Sequence, residues 1–163
     1  LIFDLSNKLP KKSLIGAKAK NLGKIIGLNI PVPKGFVVSN LVLEKFLYSQ
    51  RISLTELNVK NIKPEEIAKH SQYIQNKIRS SRIPEKLFIQ MKSQIENKFG
   101  HTSIIVRSSA VGEDSVESSF AGQLDSIIVQ NTELELENAI LNCWASYWNG
   151  FLFTPLRGGG GPP

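Results

Sequence analysis

Ile104-Ile105-Val106-Arg107-Ser108-Ser109-Ala110 is the stretch on which the predicted fold and its candidate site depend. It opens with three β-branched residues, a short apolar run of the kind that is buried on both faces of a sheet. A segment rich in hydroxyls, carboxylates and small residues follows as far as Gln123. Leu124–Val129 then resumes a strand pattern, which we expect to pair with the first strand. The stretch therefore predicts two strands joined by a long polar loop.

Arg107 stands at the end of the first of these strands. Its guanidinium has five donors, stays charged at neutral pH, and can hold a phosphate or a carboxylate through two hydrogen bonds. The loop that follows adds hydroxyls and backbone amides, and Gly112 and Gly122 permit close approach. Two hypotheses stay open: the segment cradles a phosphate, or Arg107 pairs with Glu113 or Asp114 and the loop only turns.

A second candidate segment, Ile15–Gly23, contains Lys18 near the start of a predicted helix. A lysine in that position can place its charge beside phosphates that also meet the helix N-terminus. Most lysines on a helix surface are merely solvated, so this alternative also stays open. The segment is not a P-loop, because no Gly-Lys-Ser/Thr follows a glycine-rich turn.

The remaining patterns predict mixed α and β structure in which helices outnumber strands. Short strands are expected at Leu1–Leu5 and Gly35–Val38. Helices are expected over Lys18–Leu28, after a cap at Ser39 or Asn40, from Pro64, from Pro84, and from the capping box Thr132-x-x-Glu135.

The composition is that of one ordinary globular domain or a piece of a larger one. A chain of 163 residues with 41% hydrophobic content can bury a sizeable core. The single cysteine, Cys143, excludes an intrachain disulfide and favours a reducing compartment. No apolar run approaches the roughly 20 residues that a membrane span needs. We therefore expect a soluble, cytoplasmic protein with no membrane partner.

The net charge of +6 is unevenly distributed along the chain. Residues 1–100 hold 18 Lys and Arg against 7 Asp and Glu, whereas residues 101–163 hold 2 against 7. The lysines form no tight cluster with interleaved aromatic residues, which is the pattern of a nucleic-acid interface. A generic basic surface is therefore favoured over nucleic-acid binding, which would show a steep dependence on salt.

Other arrangements of reactive residues find no support. His70 and His101 lack metal-ligand spacing with any Cys or His. The serines have no Gly-x-Ser-x-Gly context, so a serine hydrolase is not indicated. Trp144 and Trp148 are neighbours on one helix face, where packing is favoured over base stacking.

Four motifs occur in order between residue 1 and about residue 148. They are Gly16-Ala17-Lys18-Ala19-Lys20-Asn21-Leu22, Pro31-Val32-Pro33-Lys34-Gly35-Phe36-Val37-Val38, Val106–Ala110 with Glu113-Asp114 and Ser119-Phe120-Ala121-Gly122-Gln123, and Cys143-Trp144-Ala145-Ser146. Together they resemble the N-terminal nucleotide-binding domain of the phosphoenolpyruvate-utilising dikinases. That family includes phosphoenolpyruvate synthase, pyruvate phosphate dikinase and the rifampin phosphotransferases.

The resemblance implies the first lobe of an ATP-grasp-type domain, an α+β fold with a short mixed sheet and flanking helices. It implies that Lys18 and Arg107 contact the phosphates of ATP. It implies no catalytic or metal-ligating residue in this chain, since the ligands of the Mg²⁺ ion would lie elsewhere in the full-length parent. The flexible loop covering the phosphates would contribute Ser118, Ser119, Gly122 and Gln123.

The chain departs from the family pattern in two places. The family glycines beside the lysine are Ala17 and Ala19, and each Cβ would restrict close backbone approach or a positive φ. Residues 147–153 also diverge, so we expect residues 1–149 to form the lobe and residues 150–163 a flexible tail or a remnant of cloning. The second ATP-grasp lobe and the phosphohistidine domain of the parent would then be partners supplied from outside this sequence.

The implied parent reaction converts ATP, pyruvate and water into phosphoenolpyruvate, AMP and phosphate, with this lobe catalytically silent on its own. Two alternatives stay open. One is the ATP lobe of a rifampin-type antibiotic phosphotransferase, because acceptor choice resides in other domains. The other is a non-catalytic nucleotide-binding or regulatory module that kept the fold.

Overall fold

The computed structural model describes residues 1–52, 64–100, 102–109, 126–130 and 132–148. Within these ranges the chain forms five helices and four short strands, which confirms the predicted α+β class. In chain order the elements are β1 (Ile2–Asp4), α1 (Lys12–Gly27), β2 (Phe36–Val38), α2 (Asn40–Ser49), α3 (Pro64–Arg79), α4 (Glu85–Phe99), β3 (Ile104–Arg107), β4 (Ser126–Val129) and α5 (Glu133–Ser146).

The described strands form two separate sheets, each of two antiparallel strands. In the first, β1 pairs with β2 and Phe3 lies opposite Val37. In the second, β3 pairs with β4 and Val106 lies opposite Ile127. The predicted pairing of the two strands on either side of the polar segment is therefore confirmed.

The expectation that β3 is buried on both faces is wrong. Ile105 is 54% exposed, and Ile128, its partner on β4, is 73% exposed. Ile104 and Val106 point the other way and pack against the main core. The reason is that α5 packs on this sheet, and side chains alternate between the faces of a strand. Arg107 shares the exposed face with Ile105.

Two clusters of buried side chains hold the elements together. The larger joins α2, α3, α4 and α5 around Phe46, Ile78 and Trp148, each at most 1% exposed. Trp148 thus has the packing role that the sequence predicted. The smaller cluster packs α1 against β1 and β2 through Ile15 and Val37. Helix α1 and strand β3 are consequently packed in different clusters.

A buried carboxylate on α5 fixes the connection between α3 and α4. Glu137 is 7% exposed, and its Oε2 accepts a hydrogen bond from Arg82 Nη1 at 2.6 Å. Its Oε1 accepts a hydrogen bond from the backbone N–H of Ile83 at 2.8 Å. A buried carboxylate is stable only when its oxygens are satisfied in this way. The contact therefore sets where α5 lies relative to the start of α4.

An ion pair between Asp4 and Lys98 links β1 to α4. It makes the free energy of unfolding depend on pH in the acidic range. The hydrogen bond from the Lys98 ammonium, followed by those from the Ser6 hydroxyl and amide, lowers the pKa of Asp4 to about 2. Because the folded-state pKa lies below the ordinary value, the carboxylate stabilises the fold above a pH of about 4. That contribution is lost as the pH falls toward the folded-state pKa of about 2.

We therefore expect Asp4→Asn to be less stable than the wild type at neutral pH, with the difference shrinking between a pH of about 4 and about 2. Urea unfolding of both proteins across this range measures the effect. Lys98→Met should show the same convergence, since Lys98 is the largest cause of the shift. A difference that stays constant over the whole range would contradict the assignment.

Candidate functional site

The two candidate segments of the sequence meet at one cleft. Its volume is about 850 Å³, and both segments contribute to its lining. Gly16 and Lys18 come from α1, whereas Arg107, Ser108 and Ser109 come from the end of β3 and the residues after it. Segments that are about 90 residues apart in the chain thus form a single concave surface.

Helix α1 is broken at Gly16, where the backbone has φ 74° and ψ 173°. Only glycine adopts this conformation without strain. A Cβ at Gly16 would also lie 1.9 Å from the backbone oxygen of Ser109. The close approach of the two segments therefore needs glycine here for both reasons.

The break explains why α1 does not begin where the sequence predicted. The apolar spacing of Leu22, Ile25 and Ile26 indicated a start at Lys18, but the helix begins at Lys12. The turn before Gly16 is separated from the later turns by the non-helical backbone at Gly16, so the 3.6-residue spacing does not continue across it, although Ile15 still packs in the same cluster as Ala19. A helical turn resumes after Gly16 with Lys18 in it, and the N–H of Ala19 in this turn donates to the Ser109 hydroxyl.

Lys18 is half-buried and lines the cleft. Of the two expected effects of its neighbours, the one on a positive φ does not arise, since neither Ala17 nor Ala19 has a positive φ; the effect on close backbone approach stays a prediction. The residue with positive φ in this motif is Gly16, which the chain retains. The two alanine side chains contribute to buried packing and do not force an unfavourable backbone.

Arg107 is the last residue of β3, lies opposite Ser126 and is exposed at the rim of the cleft. The alternative pairing with Glu113 or Asp114 falls on residues outside the described ranges. The predicted loop contacts Ser118, Ser119, Gly122 and Gln123 also lie outside the described residues. They remain predictions.

Three buried polar atoms line the cleft, and two of them, on Ser39 and Asn40, lie outside the segments that the sequence singled out as candidate sites. Ser39 is 2% exposed, and its Oγ makes no hydrogen bond to described residues. Asn40 Oδ1 and Ser108 Oγ are likewise buried without a described partner. The sequence indicated Ser39 only as a helix cap, and it does occupy the N-cap of α2, but its side chain makes no capping bond. Ser39 is distinguished by the burial of its hydroxyl, and no local sequence pattern reveals burial.

The rest of the cleft is apolar and aromatic. Phe36, Trp144 and Tyr147 all contribute to its lining. Trp144 also packs its ring 4.9 Å from that of Phe46, in the tilted geometry common for aromatic pairs. Burial raises the pKa of the Tyr147 hydroxyl. A cleft with cations at one edge and an apolar wall fits a ligand that has an anionic part and a flat, weakly polar part.

Neither a metal centre nor a membrane span is found in the part of the chain that the structure describes. No three His, Cys, Asp or Glu side chains in these ranges lie close enough to hold a metal ion. Among the described helices, none combines the length and apolar character needed to cross a bilayer.

Comparison with known protein families identifies the domain. Residues 12–150 match the family model of the pyruvate phosphate dikinase AMP/ATP-binding domain. The chain belongs to this family. The matched range includes Gly16, Lys18 and Arg107, so the cleft is formed from residues inside the family domain.

Relatives of this AMP/ATP-binding domain are much longer than the chain. Phosphoenolpyruvate synthase of Aeropyrum pernix is 32% identical over 145 residues, which cover 83% of this chain and 18% of the relative. A probable phosphoenolpyruvate synthase of Methanothermobacter thermautotrophicus is 33% identical over 144 residues, covering 82% and 21%. An uncharacterized phosphotransferase of Bacillus subtilis, YvkC, is 30% identical and covers 84% and 15%. The chain spans about a fifth of the length of these curated relatives.

Proposed function

We propose that this chain is the ATP-binding lobe of a dikinase-type phosphotransferase similar to phosphoenolpyruvate synthase. The parent reaction converts ATP, pyruvate and water into phosphoenolpyruvate, AMP and phosphate. The observation that carries the proposal is the meeting of the α1 break, Lys18 and Arg107 around one cleft.

The cations act on the phosphates of ATP from two different elements. Lys18 supplies a point charge from the turn of α1 that follows Gly16, and Arg107 supplies a planar fork that can hold two phosphate oxygens. Such fixed positive groups offset the charge that develops on a transferred phosphoryl group. The loop residues Ser118, Ser119, Gly122 and Gln123 would cover the phosphates.

The apolar wall of the cleft would receive the adenine ring. Phe36 and Trp144 offer flat faces in the lining, and base–aromatic contacts are favourable whatever the exact orientation of the base. We propose that the ligands of the Mg²⁺ ion lie in the other parts of the full-length parent.

The complete reaction requires domains beyond this lobe, and the relatives that match it are much longer than the chain. We propose that residues 1–149 act together with a second ATP-grasp lobe and with a domain that carries the phosphorylated histidine. We also propose a cytoplasmic location, which the single cysteine favours. The names of the relatives favour phosphoenolpyruvate synthase over an antibiotic phosphotransferase. Pyruvate-dependent formation of AMP by the complete reading frame would distinguish the two.

Titration calorimetry with ATP tests the nucleotide site directly. We expect saturable binding to the wild-type chain and a loss of roughly tenfold in affinity for Lys18→Met, because a charge-assisted contact to phosphate is removed. Lys69→Met is the matched control, since Lys69 is an exposed lysine of α3 outside the cleft. Equal affinities for wild type and Lys18→Met would overturn the lysine contact. Absence of saturable ATP binding to the wild type would overturn the nucleotide site itself.

A further inference from the structure

We propose that Ser109 is a positioning residue whose hydroxyl holds the Lys18 segment of α1 against the end of β3. The inference rests on the proposed ATP site and deepens it. Nothing in the motif pattern assigns a role to Ser109 beyond membership of the segment. Its contacts, however, join the two halves of the site.

The Ser109 hydroxyl bridges the break in α1. Its Oγ donates a hydrogen bond to the carbonyl oxygen of Ile15 at 2.8 Å. The same Oγ accepts a hydrogen bond from the backbone N–H of Ala19 at 3.0 Å. In a regular α-helix, residue 19 donates to the carbonyl of residue 15, so the hydroxyl bonds to both members of the helical pair that spans Gly16. A side chain placed in this ladder is a recognised cause of a helix break.

Serine suits this position because one side-chain atom must donate one hydrogen bond and accept the other. A hydroxyl can donate and accept at once, whereas alanine can do neither. Ile15 and Ala19 are 2% and 4% exposed, so their backbone groups have little access to water as a substitute partner. Buried backbone groups that lose a partner are costly.

The residues joined by the Ser109 hydroxyl are close in sequence to both cationic residues. Lys18 immediately precedes Ala19, and Arg107 lies two positions before Ser109 on the strand end. The backbone oxygen of Ser109 also lies against Gly16, which excludes any side chain between the segments. The hydroxyl therefore sets the spacing between Lys18 and Arg107. This spacing raises the affinity for ATP only when both side chains contact the same triphosphate.

A double-mutant cycle separates this role from general stabilisation. ATP affinity is measured by calorimetry for wild type, Ser109→Ala, Lys18→Met and the double variant. We expect Ser109→Ala to weaken ATP binding about fivefold in the wild-type background. In the Lys18→Met background the same change should cost less than about twofold, because the group that it positions is gone. Ser81→Ala is the matched control: Ser81 Oγ also donates to a backbone carbonyl, that of Lys77 at 2.6 Å, away from the cleft.

The outcomes are distinguishable from failure of the nucleotide site. Equal losses in both backgrounds, or no loss at all, would overturn the positioning role while leaving ATP binding intact. Hydrogen exchange of the Ala19 amide needs no nucleotide, and we expect it to be faster in Ser109→Ala than in the wild type. Unchanged exchange would overturn the bridge itself. If the alanine variant does not fold, Ser109→Cys retains a side chain that donates and accepts, although weakly, and should show a smaller loss of the same pattern.

Discussion

Gly16→Ala is expected to destabilise the domain by about 3 kcal/mol, because backbone strain and a steric clash act together. The new Cβ would meet the backbone oxygen of Ser109 at 1.9 Å, and φ at this position is +74°. Neither problem can be relieved by a side-chain rotation, since the obstructing atom belongs to the main chain. In thermal denaturation we expect Tm to fall by roughly 10 °C for a domain of this size.

The same substitution should also weaken ATP binding, because the end of β3 would be pushed away from Lys18. Gly27→Ala provides the control within the same helix. A Cβ at Gly27 has no neighbour within 4 Å, and this glycine does not have a positive φ. Its replacement should leave Tm within about 2 °C of the wild type. If both alanine variants melt together with the wild type, the close packing of α1 on Ser109 is refuted.

Arg107→Ala is expected to weaken ATP binding by roughly 50-fold, since a charged fork that bonds two phosphate oxygens is lost. Arg107→Lys should recover only part of this affinity, because lysine keeps the charge and not the bidentate geometry. Stability should change by less than about 0.5 kcal/mol, because Arg107 is exposed. Calorimetry gives the affinities, and urea unfolding gives the stabilities.

A control for net charge separates direct contact from long-range attraction. Lys86→Ala removes the same unit of charge from an exposed position on α4 outside the cleft. It should bind ATP as the wild type does, because exposed charges that are well separated are screened by salt. Equal losses for Arg107→Ala and Lys86→Ala would mean that Arg107 acts only through the overall field.

Local patterns in the sequence were sufficient for most of the secondary structure. Pro64 opens α3 as predicted, and Thr132 caps α5 by accepting a hydrogen bond from the Glu135 N–H. The second half of that capping box differs, since the Glu135 carboxylate accepts from the N–H of Gln130. Such signals act over a few residues, so they do not depend on how the rest of the chain packs. Exposure of Ile105 could not be predicted, because it depends on which face α5 covers.

The sequence by itself determined the family, the α+β class and the two segments that carry Lys18 and Arg107. Each follows from residue types at fixed spacing, and spacing along the chain is a local property. Only the tertiary structure decided that the Ser109 hydroxyl bonds to both sides of the Gly16 break, and that the buried hydroxyl of Ser39, which has no partner among the described residues, lies in the same cleft. A hydrogen bond between groups 90 residues apart depends on the packing of every element between them. No sequence motif specifies that packing.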